Sequence, residues 1–215
     1  MPDEERPPPI IVFLDIETSG NLPELHELLE YAAVMLDPVT GETIGEPGLD
    51  CCEITIDPAQ ADWPDRMPAK VREMHEENGL LRDVTERGVN RGVAERYLSS
   101  WILRHRPGNR PLWLGGAGVS HFEVRWLPRH LPTISTLLTD YSAGCRIIDT
   151  SATRRHLELA GVQCPDFTTA KPHRAAPDVW LHVAEYRWQR ELFRRLAAAP
   201  DVVAGVPVWL PYDLP

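Results

Sequence analysis

The stretch that decides the fold is Ile10-Ile-Val-Phe-Leu-Asp-Ile-Glu17, which continues as Thr-Ser-Gly20. Its first five residues are apolar and rich in β-branched side chains, which predicts a strand buried on both faces. Because side chains alternate along a strand, Asp15 and Glu17 point to the same side and lie close together. Two such carboxylates repel unless they share a proton or a cation. The pair therefore indicates a site for a hard metal ion, with a chance surface pair as the alternative from these residues alone.

The rest of the chain places this strand in an α/β fold. Residues 28–36 and 52–56 predict two further strands in succession. Two more strands, at 112–114 and 146–148, then alternate with helices, which is typical of a mixed α/β sheet. The helices are predicted at 67–77, with Gly79 as its stop, and at 89–104, 121–131 and 150–160. A final helix has its apolar face at Trp180, Ala184, Trp188, Leu192 and Leu196.

Length and composition indicate one ordinary globular domain. The chain has 215 residues, of which 43% are hydrophobic and 25% charged. We expect a disordered N-terminal segment at 1–9, a single domain at 10–199 and a Pro-rich C-terminal tail at 200–215. No apolar run approaches the roughly 18 residues that span a bilayer, and the acidic, Pro-rich start is unlike a signal peptide. The four cysteines form no C-x-x-C motif, so we expect a cytoplasmic protein without a membrane partner.

The charge distribution restricts the class of partner. The net charge of −10 argues against tight binding of long duplex DNA, which needs a basic surface. The charge is uneven, however, because residues 1–60 hold 14 acidic residues and one arginine, whereas residues 61–215 carry a net +3. The composition therefore allows a short nucleic-acid strand, particularly where metal ions neutralise carboxylates.

A histidine and an aspartate come together at the start of the final helix, in His173-Arg-Ala-Ala-Pro-Asp178. Proline is tolerated only in a first helical turn, so Pro177 predicts that the helix begins near Ala176. His173 then lies on the preceding loop and Asp178 in the first turn. Such an imidazole suits a base beside a metal site. The alternative is an acid that complements the helix dipole, next to a solvated histidine.

The segment Gly118-Val-Ser-His-Phe-Glu123 allows two interpretations. Ser120 and Glu123 have the spacing of a capping box, in which the glutamate bonds back to the serine amide. In the other interpretation Glu123 is a metal ligand. Phe122 and Trp126 would be core residues one turn apart in either case.

Taken in order, these elements resemble the DEDDh family of 3′→5′ exonucleases, and within it the oligoribonuclease branch. Phe13-Leu-Asp-Ile-Glu-Thr-Ser-Gly20 is similar to the first motif of that family. Leu29-Glu-Tyr-Ala-Ala-Val34 is similar to the strand that follows this motif. The second and third motifs resemble Ser120-His-Phe-Glu123 and His173-x-x-x-x-Asp178. The oligoribonuclease branch is suggested by Met74-His-Glu-Glu-Asn-Gly79, Arg129-His-Leu-Pro132 and Arg146-Ile-Ile-Asp-Thr-Ser151. The resemblance covers roughly residues 10–196.

The resemblance implies a ribonuclease H-like fold, an α/β architecture with a mixed five-stranded sheet flanked by helices. It implies hydrolysis with two ions, Mg²⁺ or Mn²⁺, held by Asp15, Glu17, Glu123 and Asp178, with His173 as the base. It implies substrate binding by Thr18, Gly20, Leu22 and His75. The substrate would be short single-stranded RNA or DNA, cut from the 3′ end to nucleoside 5′-monophosphates, and the protein would be a homodimer.

Three departures from the family pattern keep other functions open. Glu123 stands where the family has aspartate, Asn21 follows Gly20 where the family has leucine, and Lys70 occupies the place of an expected tryptophan. The first departure affects metal geometry, and the other two affect recognition of the substrate end. The alternatives are therefore a proofreading-type DNA exonuclease and a module that binds nucleic-acid ends with weakened catalysis.

Overall fold

The computed structural model describes residues 7–46, 48–58, 60, 62–139, 146–168 and 172–199. The predicted C-terminal tail, and residues 1–6 of the predicted N-terminal segment, lie outside the described residues. Residues 7–9 have no regular structure. The carbonyls of Pro8 and Pro9 accept hydrogen bonds from Arg110, so the chain is fastened to the domain just before the first strand.

The described residues contain a mixed sheet of seven strands. These are β1 (Ile10–Thr18), β2 (Leu28–Leu36), β3 (Thr43–Ile44), β4 (Cys51–Asp57), β5 (Val89–Asn90), β6 (Leu112–Gly116) and β7 (Ile147–Asp149). The strand order is β5-β4-β2-β1-β6-β7, with β3 beside β2. β2 is antiparallel to both of its neighbours, β1 and β4. On the other side of β1, β6 runs parallel to β1, and β7 runs parallel to β6. The predicted fold class is confirmed, and the two-residue strands β3 and β5 are additions to the five predicted strands.

Seven helices of the described residues flank the sheet. These are α1 (Ala69–Glu77), α2 (Leu80–Arg87), α3 (Arg91–His105), α4 (Glu123–His130), α5 (Pro132–Leu138), α6 (Thr150–Leu159) and α7 (Ala175–Ala197). α2 and α5 are not predicted from the sequence. Gly79 has φ of 79°, a left-handed conformation that glycine adopts without strain, and it separates α1 from α2.

The two faces of β1 belong to different layers of the core. Ile10, Val12, Leu14 and Ile16 pack with the cluster that includes α3, α4 and α5. Ile11 and Phe13 pack with Ala175, Val179 and Val183 of α7. Because side chains alternate, Asp15 and Glu17 continue the face that α7 covers. The sheet and α7 therefore bring the first and third sequence elements to one side of the molecule.

The predicted apolar face of α7 is wrong. Trp180 is 36% exposed and Leu196 41% exposed, and Ala184 is also exposed. The buried face instead combines small apolar residues with polar ones: Ala175, Asp178, Val179, His182, Val183, Glu185 and Gln189. Apolar periodicity selects the wrong face because the buried face of α7 also meets polar groups. His182 lies beside Asp15 of β1, and Glu185 and Gln189 form hydrogen bonds with Thr150 of α6. No helix among the described residues has the length and apolar character needed to cross a membrane.

Candidate active site

A cleft of about 340 Å³ opens at the carboxyl end of β1. It is lined by the five side chains that the sequence predicts to be catalytic: Asp15, Glu17, Glu123, His173 and Asp178. The four carboxylate residues are all less than 9% exposed, whereas His173 is exposed. Four acidic groups gathered in one largely buried cleft repel each other unless a cation or a shared proton compensates them.

The backbone of β1 fixes the first two carboxylates. Asp15 and Glu17 lie opposite Ala32 and Glu30 of β2. On its other side, β1 is paired with β6 only from Ile10 to Phe13. The strand edge beside Asp15 and Glu17 is therefore not covered by β6, and the turn that follows β6 brings Glu123 to the cleft.

Glu123 is the first residue of α4, and no side chain caps that helix. The Ser120 hydroxyl donates instead to Asp149, over 2.5 Å. The amides of Gly118 and Ser120 also donate to the Asp149 carboxylate. The capping-box interpretation is therefore wrong, and the side chain of Glu123 faces the cleft.

Asp149 fixes the turn before α4. Burial alone would raise the pKa of this carboxyl group, but the Ser120 hydroxyl and the amides of Gly118 and Ala152 outweigh burial and hold the pKa well below its usual range. Asp149 is therefore charged at neutral pH. It links the end of β7, the start of α6 and the turn that leads to Glu123.

The start of α7 is held by an ion pair in the interior. Arg174 lies 2.6 Å from Glu30, which is fully buried, and 2.9 Å from Asp83. The other Glu30 oxygen accepts from the amide of Ala175, the first residue of α7. These contacts raise the pKa of Arg174 above its ordinary value, the hydrogen bond to Glu30 being the largest cause. The predicted start of the helix, near Ala176, agrees with the structure to one residue.

Three of the gathered residues could bind a metal ion. Ligand atoms of Glu17, His173 and Asp178 all lie within 4.8 Å of one another. Carboxylate oxygens are the ligands that hard divalent cations prefer, and Asp15 and Glu123 line the same cleft. The geometry therefore allows His173 two roles, as a ligand or as a base next to the ion.

Sequence reasoning missed a second imidazole at this site. His182 is buried on α7, one turn after Asp178, and its Nε2 lies 3.7 Å from Oδ1 of Asp15. The signal available in the sequence was its spacing of four residues from Asp178, which places both side chains on one helix face.

The four predicted substrate-binding residues fall into two groups. Thr18 and Gly20 line the cleft, and a Cβ at Gly20 would stand 2.5 Å from the ring of His26. Leu22 is 44% exposed but does not line the cleft. His75 has no exposed surface, and its Nε2 lies 3.0 Å from the carbonyl oxygen of Thr18. His75 therefore contacts the backbone of the first motif from the protein interior. Direct contact with a substrate does not fit this buried position.

Comparisons with known proteins agree with this architecture, although no family model matches the sequence. An oligoribonuclease of Rhodococcus jostii is 30% identical over 199 residues, which are 89% of this chain and 89% of that protein. An oligoribonuclease of Streptomyces coelicolor is also 30% identical, over 89% of this chain and 90% of that protein. The crystal structure of E. coli exonuclease I in complex with a dT13 oligonucleotide has a TM-score of 0.61 and 17% identity. It matches 87% of this chain but 43% of that exonuclease, and this likeness shows a shared fold.

Proposed function

The chain belongs to the oligoribonuclease family, and from this premise we propose that it is a metal-dependent 3′→5′ exonuclease of short single-stranded oligonucleotides. Its products would be nucleoside 5′-monophosphates. The observation that carries the proposal is the single cleft in which Asp15, Glu17, Glu123, His173 and Asp178 meet. These residues come from one strand, two helices and a loop, so their convergence is a property of the fold and not of one sequence segment.

We propose that two divalent ions, Mg²⁺ or Mn²⁺, bind to the four carboxylates. Asp15, Glu17 and Asp178 would hold the first ion, and Asp15 with Glu123 the second. Such ions stabilise the attacking and leaving oxygens of a phosphodiester displacement. The donor set fits them, because it offers oxygen ligands that are shielded from water and carry excess negative charge.

His173 serves in this proposal as the general base. Its exposed imidazole lies on the rim of the cleft, close to Glu17 and Asp178. From there it can accept a proton from the water that attacks phosphorus and return the proton to solvent. A ligand role for His173 is the other arrangement that the distances allow, and Mn²⁺ affinity separates the two, because only loss of a ligand weakens the binding of the ion.

The experiment is digestion of matched RNA and DNA oligomers, from dinucleotides upward, with Mg²⁺, Mn²⁺ or a chelator. We expect release of nucleoside 5′-monophosphates from the 3′ end, faster for short strands, and none with the chelator. Binding of oligomers without hydrolysis in either metal would support the end-binding module instead. Preference for long DNA, together with co-purification of a polymerase, would support the proofreading alternative.

Two further expectations concern assembly and location, the first from the family and the second from the cysteine pattern of the sequence. We propose that the protein forms a homodimer, which sedimentation analysis can test, and that it works in the cytoplasm. The described cysteines, Cys51, Cys52 and Cys164, are free thiols. Burial raises the pKa of Cys52 to about 12, so this thiol is unreactive at neutral pH.

A further inference from the structure

The loop that carries His173 is fastened to the turn between α1 and α2 by Asn78. The side-chain amide of Asn78 donates to the carbonyl oxygen of His173 over 2.6 Å and lies 3.4 Å from that of Pro172. The Oδ1 atom of the same side chain accepts from the amide of Leu80, at the start of α2. One side chain therefore joins two segments that are about 95 positions apart in the sequence.

This loop needs an external restraint because of its backbone conformation. His173 has φ of 52° and, among the described residues, is the one non-glycine with positive φ. A residue with a Cβ stays in that region only where surrounding contacts enforce it. The next residue, Arg174, is held by Glu30 and also donates to the backbone carbonyl of Asn78. The Asn78 amide is thus the contact that fixes the carbonyl of His173 itself.

We propose that Asn78 is a positioning residue for catalysis: its amide holds the backbone of His173, so that the imidazole reaches the cleft beside Glu17 and Asp178. This inference rests on the proposed function. Asn78 is not among the residues that line the cleft, so it acts through His173 and not on the substrate. Holding a reacting group within a fraction of an ångström of its working position is a recognised source of rate.

The chain offers a variant that removes the donor of this contact and keeps the acceptor atom of the same side chain. Asn78→Asp keeps Oδ1 for the Leu80 amide, so the start of α2 is preserved. It replaces the donor with a carboxylate oxygen that faces two carbonyl oxygens. Asn90→Asp is the matched control, because Oδ1 of Asn90 likewise accepts from a backbone amide, that of Gly92 at the start of α3. The substitution there also replaces the side-chain NH₂ group with a charged oxygen. Asn78→Ala shows whether lost donation or added charge is responsible.

The expected result is a fall in kcat and not in binding. Asn78→Asp should lower kcat by about 10- to 100-fold and leave KM within about twofold, whereas Asn90→Asp should change neither. Asn78→Ala should also lower kcat, because it lacks the donor. In a His173→Ala background, Asn78→Asp should cause no further fall, because residues that act as a unit are not additive. Hydrogen exchange of the amides at 173–176 should be faster in Asn78→Asp than in Asn90→Asp.

The outcomes separate this inference from the proposed function. Wild-type protein that releases mononucleotides, with Asn78→Asp equally active or fully additive with His173→Ala, overturns the positioning role alone. Wild-type protein that releases none overturns the proposed function. In that case unchanged hydrogen exchange in Asn78→Asp would also overturn the restraint of the loop by Asn78.

Discussion

β1 and the start of α7 deliver catalytic candidates to the same cleft by different physical means. Asp15 and Glu17 sit on a strand that is buried throughout and paired along its length with β2. His173 lies on an exposed turn with a left-handed backbone. The Asn78 side chain holds its carbonyl, and the next residue, Arg174, is paired with Glu30. Secondary structure therefore positions the carboxylates, whereas specific long-range side chains position the imidazole.

The two regions meet at Glu30. In the antiparallel register Glu30 lies directly opposite Glu17, and like charges so placed on neighbouring strands repel. Arg174 compensates this charge from the α7 side. One buried carboxylate thus anchors the α7 start through Arg174 and, in the sheet, lies directly opposite Glu17 of the cleft.

The largest effect is expected on activity when a carboxylate of the cleft is removed. Asp178→Ala should abolish measurable turnover, because the ions that would stabilise the attacking and leaving oxygens lose a ligand. Its melting temperature without metal should equal or exceed that of the wild type, because like charges in an empty site cost stability. Normal turnover in this variant would show that Asp178 is not part of the active site.

Removing the imidazole should cost less than removing the ion site. His173→Ala is expected to lose about 10²–10⁴-fold in kcat, the range typical of acid–base catalysis. Binding of Mn²⁺ and of a short oligomer should stay within a few-fold of wild type when measured by calorimetry. A parallel loss of Mn²⁺ affinity would instead show that His173 is a metal ligand. Both regions would then supply ligands, and the difference in role between the carboxylates and the imidazole would not hold.

Breaking the ion pair at the α7 start should lower stability. Arg174→Gln leaves Glu30 charged and buried, and removal of one partner of a buried pair costs about 3–5 kcal/mol. Arg174→Gln combined with Glu30→Gln should recover part of this loss, because neither charge then remains. Urea unfolding of the wild type, both single variants and the double variant measures the coupling. Additive losses would show that the pair does not hold α7.

The parts of the site that the sequence predicted are those set by local pattern. The apolar run of β1 with its alternation places Asp15 and Glu17, and Pro177 places His173 and Asp178 on either side of a helix start. The parts that it missed depend on residues far apart in the chain, as in the bond of Ser120 to Asp149 and the pair of Glu30 with Arg174. His75 and the α7 face were misjudged for a related reason, since burial depends on which neighbours the fold supplies.

The smallest effect concerns the loop after β1 and its dependence on pH. His130 is buried on α4, and its Nε2 lies 3.0 Å from the carbonyl oxygen of Pro23. Burial lowers the pKa of His130 below the ordinary value of about 6.5. As pH falls below that value the unfolded chain takes up a proton that the folded protein does not, so stability decreases. His130→Gln should make the free energy of unfolding, measured with urea, depend less on pH between neutral and mildly acidic conditions. An unchanged dependence would contradict this role of His130.

The central claim is that the carboxylates of the cleft bind metal ions, and variants of Glu123 test it most directly. The two interpretations of this residue, as a metal ligand or as a purely structural residue, predict opposite results. The measurement is turnover of a short oligomer with Mn²⁺, together with the melting temperature, for Glu123→Gln and Glu123→Asp. We expect Glu123→Gln to keep its melting temperature and lose activity, because a neutral amide replaces a carboxylate poorly beside a divalent ion. Glu123→Asp should retain partial activity or change its preference between Mg²⁺ and Mn²⁺. Full activity in Glu123→Gln would contradict a metal-dependent cleft assembled from β1, α4 and α7.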